Sequence, residues 1–180
     1  MFESKALRLQ QHHDLYATAT LPPFQYDRVA PRLWAGRNPL TAIDIENLQS
    51  AGVTHILDLR EAHEWAPPRF GQAALASIEQ AGLTRLHLPI TDMGAPLPAD
   101  LQAAVQFIDG VLAEGRTGLY VHCRAGMERT AAILIAWWAR KHKTTYEVAL
   151  ATLREGRPIL KPLPAQEAAV RRWLTESPAT

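Results

Sequence analysis

Leu101, Val105, Ile108 and Leu112 recur at spacings of four, three and four residues between Pro98 and Glu114, the period of an amphipathic helix with one apolar stripe turned inward. Other segments carry a different pattern. RLWAG (32–36), THILDLR (54–60), RLHLPI (85–90) and GLYVHC (118–123) are short runs of strand formers, and GLYVHC, apolar almost throughout, suits a strand covered on both faces. TAIDIENLQSAG (41–52) predicts a short helix with Thr41 as N-cap and Gly52 just past its end, and FGQAALASIEQAG predicts another, closed by Gly82. EAHEWAPPRFG (61–71) is broken by Pro67-Pro68 and reads as a loop. AAILIAWWARKH (131–142) is apolar nearly all round, which places that helix in the interior. TTYEVALATLREG spaces Thr144 and Glu147 as a capping box with Gly156 as the stop, and a last helix over 165–176 turns Val170, Trp173 and Leu174 toward the core.

Strands alternating with helices predict a single α/β domain, its mainly parallel central sheet of about four to five strands flanked by helices on both faces. The first residues show no clear period and include Leu21-Pro22-Pro23, so the chain divides into an N-terminal arm (1–28) and one domain (29–180). Hydrophobic residues make up 47% and charged residues 21%, a balance that excludes a disordered or fibrous chain. The formal net charge of +1 gives no global field to draw in nucleic acid or an anionic membrane, so any anion must be recognised locally. The longest apolar stretch, Ala131 to Ala139, is too short to span a bilayer, and MFESKALRLQ lacks the apolar core of a signal peptide. The expectation is a cytoplasmic protein without stable membrane insertion.

VHCRAGMERT, Val121 to Thr130, holds the chain's one cysteine. Cys123 has no second thiol for a disulfide, a redox pair or a cysteine-rich zinc site, and His12-His13 lack a third ligand, so neither metal nor cofactor is expected. The bland reading of a lone cysteine is a small buried hydrophobe. Its setting argues otherwise, because the segment lies where a buried strand meets a buried helix, the place where α/β folds bind ligands. There the free N–H groups of Arg124, Ala125, Gly126, Met127, Glu128 and Arg129 would converge as an anion cradle, with Gly126 supplying backbone freedom and the helix N-terminus adding partial positive charge. A thiol at its mouth would ionise and become a nucleophile. Arg129 would offer a planar fork to two phosphate oxygens, and Thr130 a hydroxyl near the sulfur. His122 reads as a buried orienting group, with direct service as a Cys–His base the alternative.

HCRAGMERT resembles the signature H-C-x-x-G-x-x-R-[ST] of the cysteine-dependent protein tyrosine phosphatases. The loop TDMGAP upstream and Arg157-Pro158 downstream look most like the compact dual-specificity branch, and the likeness runs from about Val29 to Leu174. Cleaving a phosphate monoester requires a proton for the leaving oxygen. The family places its acid in a similar loop, which implies Asp92 here; the bland role for Asp92 is a turn aspartate. Asp58, inside the sheet, and Asp100, before the amphipathic helix, are weaker alternatives. Arg60, Arg69 and Arg124 are candidate rim contacts. The loop carries no lysine for extra phosphates, and Glu128 opposes a highly anionic substrate. The substrate expected is therefore phosphotyrosine, with phosphoserine and phosphothreonine, in a phosphorylated protein. The alternatives are a phosphoinositide or other small phosphate monoester, a phosphate-reading scaffold without turnover, and a rhodanese-like sulfur transferase.

Overall fold

The computed structural model describes residues 23–65 and 72–176. Five strands, β1 (Tyr26–Ala30), β2 (Leu33–Gly36), β3 (His55–Asp58), β4 (Thr84–His87) and β5 (Leu119–His122), form one sheet in the order β1-β2-β5-β3-β4. Only β1 and β2 pair antiparallel. Among the described residues the helices are α1 (Ala42–Ser50), α2 (Gln72–Gln80), α3 (Pro98–Ala113), α4 (Arg129–His142), α5 (Tyr146–Gly156) and α6 (Pro164–Glu176). All four residues of the central strand β5 are buried, as a continuous apolar run requires when both faces are covered. Alternation along the strands sorts the core in two. Leu119, Val121 and Leu57 pack with α3 to α6, whereas Tyr120 and Ile56 pack with α1 and α2. Each fully buried Leu or Ile contributes about 1.5–3 kcal/mol of transfer free energy. The architecture is the single, mainly parallel α/β domain that the alternation predicts.

The ends of the elements show where local pattern competes with neighbours. Thr41 caps α1, its hydroxyl accepting from Asp44 N–H (3.2 Å) while the Asp44 carboxylate accepts from Thr41 N–H (3.0 Å). Asp100 accepts from Leu97 N–H (2.8 Å) at the start of α3, the capping role. β4 is shorter than the strand predicted over 85–90. Leu88 and Ile90 still donate to the carbonyls of Asp58 and Leu59 (2.9 and 3.1 Å), but Pro89 between them has no N–H and the regular ladder ends. The capping box of Thr144 and Glu147 does not form. Thr144 is drawn into the end of α4, its N–H donating to Ala139 O (3.0 Å), so Thr145 caps α5 through Val148 N–H (3.3 Å) and Glu147 pairs with Arg171 at 2.6 Å. Gly156 occupies the last position of α5, where a Cβ would lie 2.7 Å from Arg28 O; close approach of β1, more than helix termination, requires glycine there. The boundary expected at 28/29 falls inside β1, and residues 1–22 of the arm lie outside the described residues. The segment read as a loop over 61–71 begins with a 3₁₀ turn, Ala62–Trp65.

Candidate active site

Gly36, His122, Asp58 and His87 stand in one row across the C-terminal ends of β2, β5, β3 and β4. Cys123 is the next residue beyond that row, a free thiol with 3% exposure. The loop after it turns its carbonyls outward one after another. Arg124 O accepts from Asn38 N–H (3.1 Å), Ala125 O and Gly126 O accept from the Arg157 guanidinium (3.2 and 2.9 Å), and Met127 O accepts from Lys161 N–H (3.1 Å). Because C=O and the following N–H point in opposite directions across a planar trans peptide, the N–H groups of residues 125 to 128 are left to the inner side. Gly126 has φ +66°, and a Cβ there would overlap the Gly36 carbonyl. Space and backbone conformation both demand glycine.

Arg129 opens α4. A cation at a helix N-terminus opposes the helix dipole, and the structure supplies anions to offset it. Nη1 and Nη2 donate to the two carboxylate oxygens of Glu64 (2.7 and 2.8 Å), Nη1 also donates to Ile90 O (3.0 Å), and Nη2 lies 3.1 Å from Asp92 Oδ1. The fork expected to face phosphate is thus already engaged, because a buried guanidinium cannot be left without partners. Burial alone would lift the Glu64 pKa, but the hydrogen bonds and charge of Arg129 outweigh it and hold the carboxyl below its ordinary value. Asp92 has a 42% exposed side chain, and its N–H donates to Glu61 Oε2 (3.0 Å). The structure therefore brings Asp92 and Arg129 together. The other two acid candidates lie elsewhere in hydrogen-bonded roles.

Asp58 is the centre of a buried cluster under the cradle. It accepts from Arg85 Nε and Nη2 (3.1 and 2.6 Å), Trp65 Nε1 (2.9 Å) and Arg60 N–H (3.0 Å). His122 is stacked on Tyr120, with Nδ1 3.1 Å from the Cys123 carbonyl and Nε2 3.7 Å from Asp58 Oδ1. Nδ1 can only donate to that carbonyl, which puts the ring proton there. Burial pushes the His122 pKa down to about 4, so the ring is neutral at pH 7. Thr130 is fully buried. Arg60 is not at the rim. It is 2% exposed, its guanidinium carbon 3.4 Å over the Trp65 ring, and burial lowers its pKa to about 10; an apolar indole face and the neighbouring Asp58 hold it inside. Arg124 is half-buried in the loop itself, and Arg69 and His12-His13 lie outside the described residues.

Residues 35–143, more than half of the chain, match the family model described as "Polymorphic toxin system, DSP-PTPase phosphatase". The chain belongs to this DSP-PTPase phosphatase family. The DSP-PTPase chain is 30% identical over 164 residues to human protein phosphatase Slingshot homolog 3, covering 88% of itself and 23% of that protein. It is 29% identical over 142 residues to human phosphatidylglycerophosphatase and protein-tyrosine phosphatase 1, covering 78% and 69% respectively. In three dimensions it is similar to the crystal structure of PTPMT1 in complex with PI(5)P, at TM-score 0.73 and 26% identity over 84% of this chain and 95% of that one. The chain spans about a quarter of the length of the Slingshot relative. It carries a cysteine-dependent phosphatase domain of the compact dual-specificity type. No helix among the described residues is long and apolar enough to cross a membrane.

Three site residues escaped the sequence pattern: Glu64 on Arg129, Asn38 on the Arg124 carbonyl, and Gln166, which joins Leu163 to Gly94; Arg157, noted only for its family likeness, proves to hold the Ala125 and Gly126 carbonyls. Each of the three reaches a site partner across many residues of chain, Glu64 to Arg129, Asn38 to Arg124 and Gln166 to Gly94, so no short-range spacing marks that contact. For Glu64 the one available signal is a carboxylate soon after a strand end, the usual location of ligand-facing groups in this fold.

Proposed function

We propose that Cys123, Arg129 and Asp92 hydrolyse phosphate monoesters in two steps, with phosphotyrosine in proteins as the leading substrate and phosphoserine and phosphothreonine as further ones. The observation that carries this reading is the 3.1 Å approach of Asp92 to Arg129 on the helix that begins at the end of the cysteine loop. The inward amides and Arg129 hold the phosphate oxygens. Cys123 Sγ, as thiolate, attacks phosphorus; the S–P bond forms as the ester P–O bond breaks, and Asp92 gives its proton to the departing oxygen. Water then attacks phosphorus, Asp92 takes its proton, and the S–P bond breaks to release inorganic phosphate and the thiolate. Neutral His122 orients the cysteine through the Cys123 carbonyl, and the Thr130 hydroxyl steadies the sulfur as it leaves.

A second reading, a phospholipid monoester, is favoured by the similarity to a phosphatidylglycerophosphatase and to the structure of PTPMT1 complexed with PI(5)P. Against it, Arg124 is the sole cation between Cys123 and Arg129, and Glu128 opposes it. The deciding experiment is hydrolysis of p-nitrophenyl phosphate in EDTA, expected to proceed in the wild type and to fall by roughly 10⁴-fold in Cys123→Ser. Full turnover in that variant would overturn the nucleophile. Phosphate binding by wild type without any turnover would favour a scaffold. Phosphotyrosyl peptides assayed beside phosphoinositides and phosphatidylglycerophosphate then separate the two substrate readings.

A further inference from the structure

Thr91 to Gly94 form a tight turn closed by Gly94 N–H donating to Thr91 O (2.8 Å), and its third residue, Met93, has φ +60°. A non-glycine residue in that region persists only when its surroundings hold it there. The Met93 side chain is 71% exposed, so packing does not provide the hold. Three tethers do. The Asp92 N–H donates to Glu61, the Asp92 carboxylate pairs with Arg129 Nη2 at 3.1 Å, and Gln166 Nε2 donates to Gly94 O at 3.0 Å.

Gln166 is fully buried. A buried amide is costly unless both of its ends are paired, and here they are, since Oε1 accepts from Leu163 N–H (3.0 Å) at the start of α6. The chain just before Leu163 is bonded to the cysteine loop, through Arg157 to Ala125 O and Gly126 O and through Lys161 N–H to Met127 O. One strap, residues 157–166, therefore touches the outer side of the phosphate cradle at one end and the turn that bears Asp92 at the other.

We propose that Gln166 is a positioning residue for proton transfer, keying the Asp92 turn to the strap that shapes the cradle. This rests on the reading of Asp92 as the acid. A proton donor must lie within hydrogen-bond reach of the leaving oxygen, and a shift of about 1 Å is enough to cost roughly a hundredfold in rate. Arg129 holds the turn at its Asp92 side and the strap holds it at Gly94, while Arg129 and the loop amides bind the phosphate itself without help from Gln166.

The test uses the full chain and aryl phosphates whose leaving phenols run from a strongly acidic dinitrophenol, which departs without a proton, to phenol, with a pKa of about 10. Gln166→Glu keeps the acceptor for Leu163 and removes the donor to Gly94; Gln166→Met removes both. In each, kcat/KM for phenyl phosphate is expected to fall about tenfold or more, with dinitrophenyl phosphate and inhibition by inorganic phosphate held within about twofold. Asp92→Asn should show the same leaving-group pattern, more steeply. Equal losses across the series, weakened phosphate inhibition, or no loss on phenyl phosphate would each overturn the role of Gln166. If Asp92→Asn itself shows no dependence on the leaving group, the acid reading fails first. Should both Gln166 variants lose cooperative melting, Gln166→Asn, with an amide on a shorter arm, is read for the same split.

Discussion

Gly126 and Met93 both have left-handed backbone at the site, with φ +66° and +60°, yet their surroundings are opposite. Gly126 is buried against Gly36, where no side chain fits; Met93 is exposed, and its side chain meets mostly solvent. The cradle is a packed object whose conformation is fixed by crowding on one side and by four outward carbonyl bonds on the other. The Asp92 turn is a strained segment held at a few points. Binding of phosphate calls for the first kind of construction, because amides must be aligned before the ligand arrives. A proton donor of the kind proposed for Asp92, which would approach and withdraw from the leaving oxygen, calls for the second.

Gly126→Ala should break the cradle outright, since the new methyl would displace Gly36 or the loop; turnover of p-nitrophenyl phosphate is expected to fall by roughly 10³-fold, with inhibition by inorganic phosphate lost in parallel. Glu64→Ala leaves a buried guanidinium without its bidentate partner, and urea unfolding should show a loss of about 3 kcal/mol. Acid separates the two regions in another way. The folded chain holds His122 at a pKa of about 4, against about 6.5 when unfolded. Between those values the unfolded chain takes up a proton that the folded chain refuses, so stability falls as pH drops from about 6.5 toward 4. The lowered carboxyls of Asp58 and Glu64 extend that loss to lower pH, since they are deprotonated in the fold where the unfolded groups would already be protonated. His122→Asn should flatten the upper part of this slope, read as urea midpoints between pH 7 and 4.5. Met93→Gly is the mildest change. Relief of strain and added chain entropy nearly offset, and the melting free energy should move by less than about 1 kcal/mol.

The contrast also explains what was legible along the chain. Cys123, Gly126 and Arg129 belong to one continuous segment, and the physics that links them operates over a single strand-to-helix turn, so their spacing is enough to expose it. The capped helix at Thr41 and the amphipathic stripe of α3 are local in the same sense. Thr144 failed as a cap because Ala139 O claimed its N–H, and β4 stopped early because of Pro89; in both cases a neighbouring element decided between two locally acceptable outcomes. Arg60 had the right charge and the right strand end, but the indole of Trp65, five residues later, drew it inward. Glu64 and Gln166 depend on contacts made only after the sheet has assembled, and nothing in the composition of their own segments distinguishes them from ordinary surface polar residues; Arg157 was marked by its family likeness, but its bonds to the loop carbonyls were not legible.

The bonds made by Arg129 have a practical consequence. One guanidinium joins α4 to the 3₁₀ turn through Glu64, to the chain after β4 through Ile90 O, and to the Thr91–Gly94 turn through Asp92. Replacing it would loosen three segments as well as the proposed phosphate contacts. An inactive form meant to capture bound substrates from a mixture is therefore better made at Cys123, where exchange of sulfur for oxygen removes the nucleophile and leaves that junction whole.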